Sequence, residues 1–236
     1  MKMIYNNRIY FGICILVCCC AEEPSCASHF DYEYRTVQKL FELEQRIEQL
    51  SHKGGVSVYV RWGRNTCPVH ATLVYNGYSA GKKWNDKGSG SDTICLPSEP
   101  TWLKYHDGDD ASRGHIYGTE TDVPSSKNIF DYEVNNQDSP CAVCSVQRSV
   151  TLMIPGRSNC YDGWKLEYSG YLMSAYYNHD GPHNHVCVDS LPEFVPNSGG
   201  NSDQHIFYLV EARCGSLPCP PYIQGRELAC VVCSKL

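Results

Sequence analysis

The residues best suited to chemistry are two cysteine pairs, Cys141-Ala142-Val143-Cys144 and Cys230-Val231-Val232-Cys233. Four thiolates in two Cys-x-x-Cys motifs could hold zinc. A single pair at the start of a helix could cycle as a redox dithiol. Neither fits the surroundings, because the motifs are Val-rich and no helical pattern follows them. The motifs read better as strands. Residues i and i+3 of a strand lie ~10 Å apart at ~3.3 Å per residue, beyond the ~7 Å Cα limit of a disulfide. Members of one motif must then bridge to cysteines elsewhere.

Two other clusters could take a cation. His179-Asp180-Gly181-Pro182-His183-Asn184-His185 places three imidazoles and a carboxylate within seven residues, a donor set for zinc or copper. Its Gly-Pro centre equally describes a solvated turn. His106-Asp107-Gly108-Asp109-Asp110 hints at a calcium loop, but Ala111 occupies the fifth ligand position counted from Asp107 and Gly114 comes too late for the EF-hand template. No Gly-x-Ser-x-Gly elbow occurs, so a hydrolase triad has no support. Asn65-Thr66-Cys67 has a rare glycosylation spacing that disulfide use of Cys67 would silence, and no Asn-x-Ser/Thr sequon occurs. No catalytic residue, cofactor or resident metal is therefore expected.

Fifteen cysteines in 236 residues point to an oxidising compartment. Lys2 and Arg8, the apolar run 9–17 and a small-residue site ending at Ala21 predict a secretory signal peptide over residues 1–21. The run is short of the ~20 residues that span a bilayer. Cleavage would remove Cys14, Cys18, Cys19 and Cys20 and leave eleven cysteines. It would also take the formal charge from −6 to −8, since two cations and no acids are lost. A mildly acidic secreted chain has no general attraction for nucleic acid or anionic lipid. Seventeen tyrosines against 19 % charged residues suit contacts with proteins or sugars.

The elements that would position these groups follow in order. Residues 22–35, carrying Cys26, read as a flexible lead-in. A helix is predicted over 36–50, within a segment 36–53, with Leu40, Leu43, Ile47 and Leu50 at the a and d positions of two heptads. Lys39 and Glu44 fall at g and e. Fifteen residues are marginal as an isolated helix, so the stripe calls for a partner, either its own domain or the same helix of another chain. Gly54-Gly55 reads as a hinge that favours the second. Beyond it the runs 56–62, 71–75, 150–154 and 206–210 are β-branched or aromatic and predict strands. Residues 81–92, 106–114 and 197–204 read as loops.

The strand region repeats itself. At a shift of 93, Gly63, Arg64, Cys67, Leu73, Tyr75, Gly77 and Tyr78 match Gly156, Arg157, Cys160, Leu166, Tyr168, Gly170 and Tyr171, seven identities in sixteen positions. Chance alone gives about one. Ile94-Cys95-Leu96-Pro97 then faces Val186-Cys187-Val188, and the Cys-x-x-Cys motifs align at a shift of 89. The expected architecture is mainly β, two tandem disulfide-stapled units (54–148 and 149–236) in one domain after a short coiled-coil helix. Cys67 and Cys95, and Cys160 and Cys187, are the available partners of the two motifs, and Cys214 with Cys219 can pin a loop around Pro218. Each long bridge would contribute ~3–5 kcal/mol.

Several runs resemble the C-terminal domain of invertebrate short-chain (spongin-type) collagens and, more distantly, the non-collagenous C-terminal domain of type IV collagen. They are Arg61-Trp62-Gly63-Arg64, Cys67-Pro68, the stretch 71–78, Pro140-Cys141-Ala142-Val143-Cys144, Leu152-Met153-Ile154-Pro155 and the closing run 217–233. The resemblance spans about Val56 to Lys235. It implies the pairs Cys67–Cys144, Cys95–Cys141, Cys160–Cys233, Cys187–Cys230 and Cys214–Cys219. This chain departs from the type IV pattern in lacking a short-range third bridge in its first half. It also has no Gly-X-Y tract and so no means of forming a triple helix.

The expectation is a secreted, non-enzymatic structural or interaction protein of the extracellular matrix. It would be a homo-oligomer, dimer or trimer, gathered by the helix, with Cys26 as a candidate interchain link. Matrix proteins or glycans would be its partners. The competing expectation is an oligomeric lectin-like or microbe-recognition module, with Trp84, Trp102, Tyr176 and Tyr177 lining its loops.

Overall fold

The computed structural model describes residues 24–52 and 55–236. The expected signal peptide lies outside these residues, as does Gly54 of the expected hinge. The described residues divide into two units, 24–52 and 55–236.

The first unit contains one described helix, α1 (Pro24–His52). It begins twelve residues before the expected start and takes in most of the expected lead-in. Its side chains are described for 31–47; those of Cys26 and Leu50 lie outside that range. Val37, Leu40, Phe41, Leu43 and Ile47 are all exposed. Asp31 and Arg35 form an i,i+4 ion pair on its surface.

The second unit is mainly β. In chain order it has β1 (Ser57–Trp62), β2 (Thr72–Gly81), β3 (Ile94–Pro97), β4 (Tyr117–Thr121), β5 (Gln137–Asp138) and β6 (Pro140–Val146). The second half follows with β7 (Thr151–Pro155), β8 (Trp164–Ser174), β9 (Val186–Asp189), β10 (His205–Leu209) and β11 (Ala229–Lys235). They form one mixed sheet in the order β10-β4-β2-β6-β1-β9-β8-β11-β7, with β3 on β2 and β5 on β4. Because β10 also pairs with β8, the path closes on itself and leaves β7 as an open end.

Both Cys-x-x-Cys motifs lie on strands, β6 and β11, each between two antiparallel neighbours: β1 and β2 for β6, β7 and β8 for β11. Among the described residues five disulfides are present: Cys67–Cys144, Cys95–Cys141, Cys160–Cys233, Cys187–Cys230 and Cys214–Cys219. These are the pairs the resemblance implies. None of them joins a residue before 149 to one after it.

Local geometry agrees between the halves in detail. A register shift falls between Leu73 and Tyr75 on β2, where it meets β6, and between the matching Leu166 and Tyr168 on β8, where it meets β11. Tyr75 donates its hydroxyl to the carbonyl of Cys95 at 3.0 Å, as Tyr168 does to Cys187 at 2.9 Å. Gly77 and Gly170 allow the carbonyls of Leu96 and Val188 to approach so closely that an added Cβ would lie 1.8 and 1.7 Å from them. The bridge Glu120↔Asp138 in the first half has a counterpart in Glu211↔Glu227.

The core joins the halves. One cluster packs Trp62, Val143, Met173, Val188 and Phe207; another packs Tyr59, Val146, Tyr168, Leu172 and Val232. Strand β1 meets β9 in parallel at Trp62↔Val188.

Candidate functional site: the seam between the halves and the cleft beside it

Glu167 sits on β8 with its carboxylate fully buried. It accepts hydrogen bonds from Tyr59 Oη at 3.0 Å, Arg148 Nη2 at 3.2 Å and Ser234 Oγ at 2.5 Å, and His70 Nε2 lies 2.9 Å away. Tyr59, His70 and Arg148 all come from the first half. Burial, and then the adjacent Glu167 carboxylate, push the Tyr59 phenol well above its ordinary range. Nearby, Arg61 Nε and Nη2 reach one oxygen of Asp189 at 2.8 and 2.7 Å. The seam is therefore clamped by cations of the first half on carboxylates of the second. Sequence reading missed this hub, although one signal was available: Glu167 aligns with the apolar Val74.

A segment of the first half, residues 122–136, extends across the seam as an arm. Phe130 packs edge-on against Tyr171 at 5.2 Å, and Tyr171 Oη donates to the carbonyl of Ile129 at 3.3 Å. Tyr132 meets Phe194 at 5.8 Å and donates its hydroxyl to the carbonyl of Pro192. The counterparts of Tyr171 and Phe194 are Tyr78 and Trp102, which are 47 % and 75 % exposed. The matching arm, 212–226, carries Cys214–Cys219 and is itself largely exposed.

The three histidines of 179–185 go to different places. His179 joins an aromatic cluster, 5.0 Å from Trp84 and 5.5 Å from Tyr208. His185 is exposed. His183 turns inward, with Nε2 at 3.0 Å from the carbonyl of Ile206 and Nδ1 at 3.2 Å from that of Asn184. Its ring lies 4.1 Å from that of His205, which is wholly buried with Thr119 Oγ1 2.7 Å from Nδ1. Burial, then the neighbouring His183, lower His205 to about 3, and burial lowers His183 as well. Among the described residues no group of three or more His, Cys, Asp or Glu is placed to share a metal ion. In the Asp-rich loop, Arg113 engages Asp110 and two backbone carbonyls. Its Nη1 donates to the carbonyls of Gly108 at 3.2 Å and His106 at 3.5 Å, and its Nε lies 3.6 Å from Asp110. The ten cysteines of the β unit are all in disulfides, so none offers a thiolate.

Beside the seam a cleft of about 1090 Å³ opens between residues 122–127 of the first half and the 174–185 and 208–213 stretches of the second. Tyr176, Tyr177 and Tyr208 line one wall. Of the four aromatic residues singled out in the sequence, Tyr176 and Tyr177 line this cleft, and Trp84 reaches the cluster through His179. Trp102 belongs instead to the uncovered face of the first half. A scan against models of known protein families matches none of them.

Proposed function

We propose that this chain is a secreted, non-enzymatic protein of the extracellular matrix that assembles with copies of itself. Its two halves arose by duplication of one disulfide-stapled unit. The observation that carries the reading is the unequal covering of matched surfaces. In the second half, Tyr171 and Phe194 lie under the arm 122–136; in the first half, Tyr78 and Trp102 lie bare while the arm 212–226 has no matching surface in its own chain. A second copy supplies what each lacks. Likewise β1–β9 has no reciprocal pairing of β7 with β3, and both of those strands keep a free edge. Such a contact is head-to-tail, so it closes into a ring or runs on as a filament according to its rotation. Unpaired strand edges and exposed aromatics left open would otherwise invite aggregation.

The exposed stripe of α1 adds a second point of gathering as a short coiled coil, and Cys26 is placed on that helix to link chains covalently. Five disulfides suit an oxidising, extracellular setting. Light scattering on the secreted chain at micromolar concentration should give a mass at least twice that of the monomer. The paired change Tyr78→Ala, Trp102→Ala should weaken association at least tenfold without lowering the melting temperature, since both side chains are exposed. A monomeric wild-type protein would sink the reading, and Cys26→Ser on non-reducing gels reports separately on the covalent link.

A further inference from the structure

We infer that the cleft beside the seam is a binding site for a neutral oligosaccharide. The inference is independent of self-assembly, because the cleft is complete within one chain. Its aromatic wall is continuous. The ring of Tyr176 lies 4.5 Å from that of Tyr177, 5.4 Å from Tyr208 and 5.4 Å from His179. Tyr177 is 86 % exposed, so its face is free to receive a ligand. Aromatic faces of this kind present flat apolar surface edged with hydroxyls, which matches the C–H face of a sugar ring and the hydroxyls around it.

The rest of the cleft supplies hydrogen-bonding groups. Burial, and then the nearby Asp122 carboxylate, raise the Tyr208 phenol above its ordinary range. Glu211 and Arg213, both in the lining, are ion-paired with each other, and Glu227 is held beside Glu211 by the Glu211↔Glu227 bridge. Carboxylates that accept from adjacent hydroxyls, and cations that donate to them, are the groups a sugar edge requires.

Charge selects among glycans. Three carboxylates, Asp122, Glu211 and Glu227, face the cleft against two cations, Lys127 and Arg213. The Arg213 charge is already engaged by Glu211. A sulfated or carboxylated chain would meet net repulsion from the site and from a protein of net negative charge. The volume exceeds that of ordinary small-ligand pockets, ~300–1,000 Å³, so several sugar rings fit better than one.

The test uses the full secreted chain on a printed panel of neutral oligosaccharides (glucose, mannose, galactose and N-acetylglucosamine series), sulfated glycans and a lysine- and arginine-rich peptide. Saturable binding to a neutral member is expected, followed in solution by tyrosine and tryptophan fluorescence. Tyr176→Ala with Tyr177→Ala should weaken that binding at least tenfold while the melting temperature stays put, and Glu227→Gln should weaken it less. No binding at millimolar sugar overturns the proposal. So does preference for sulfated glycans or for the basic peptide, or neutral-glycan binding that survives the double substitution. The Tyr78→Ala, Trp102→Ala protein, even if monomeric, should keep the same affinity, which separates failure of this site from failure of self-assembly.

Discussion

The two halves of the β unit share a frame but differ in how their matched surfaces are used. Strands, register shifts, disulfides and close-approach glycines correspond almost position for position. Yet the second half offers Glu167 and Asp189 to the seam, where the first half has Val74 and Pro97 at the matching places. The internal contact is fixed by buried charge, which holds one register strongly because a misplaced partner leaves an ion stranded. The outward-facing counterpart is apolar and aromatic, suited to a reversible contact with another molecule. On the proposed duplication, one contact became permanent and its twin stayed available.

The largest test of that contrast is Glu167→Ala. It strands Arg148 in a buried site and should cost about 3–5 kcal/mol in urea unfolding, while Val74→Ala, at an exposed position, should stay within about 0.5 kcal/mol. Comparable losses from the two changes would erase the distinction between a charged inner seam and an apolar outer face.

Acid should act on the second half next. His205 is depressed to about 3 in the folded chain by burial and by His183. The unfolded chain therefore takes up a proton first as pH falls. The stability due to the neutral imidazole is complete above pH ~6.5 and declines from there toward pH ~3. Between pH 7.5 and 5 the loss from this group should be about 2 kcal/mol, read as the difference in pH slope between wild type and His205→Asn. Identical slopes would remove His205 as the cause.

The smallest contrast compares matched tyrosines. The Tyr168 hydroxyl lies 2.9 Å from the carbonyls of both Val60 and Cys187 in a buried place, so Tyr168→Phe should cost about 1.5 kcal/mol. Tyr75 is partly open to water, which can replace the lost donor to Cys95, so Tyr75→Phe should cost about 0.5 kcal/mol. Equal costs would mean that the two positions are alike in burial as well as in hydrogen bonding.

Much of the frame could be read from residue order because it depends on local pattern. The runs 56–62, 71–75, 150–154 and 206–210 correspond to β1, the start of β2, β7 and β10, all β-branched or aromatic stretches between turn residues. Strand β8 went uncalled on its own, since Trp164 to Ser174 mixes Lys, Glu, Ser and Gly among its aromatics. The early start of α1 was missed although a signal was present, since Ala27, Phe30, Tyr34, Val37 and Phe41 follow a 3-4 spacing. The seam was out of reach for a different reason. Glu167 and its partners Tyr59, His70 and Arg148 are far apart in the chain, and only the folded sheet brings them together. The His179–His185 cluster shows the reverse. Neighbours in sequence are dispersed by the Gly181-Pro182 turn, one into an aromatic cluster, one into the core and one to solvent.

The confinement of every β-unit disulfide to its own half bears on how the protein is made. Four cysteines allow three pairings and six allow fifteen, far fewer than a pool of ten would. Cys144 leaves the ribosome before Cys160 does, so oxidation of the first half can finish while the second is still being synthesised. The hydrogen-bond set around Glu167 is complete only once Ser234 of β11 has joined it.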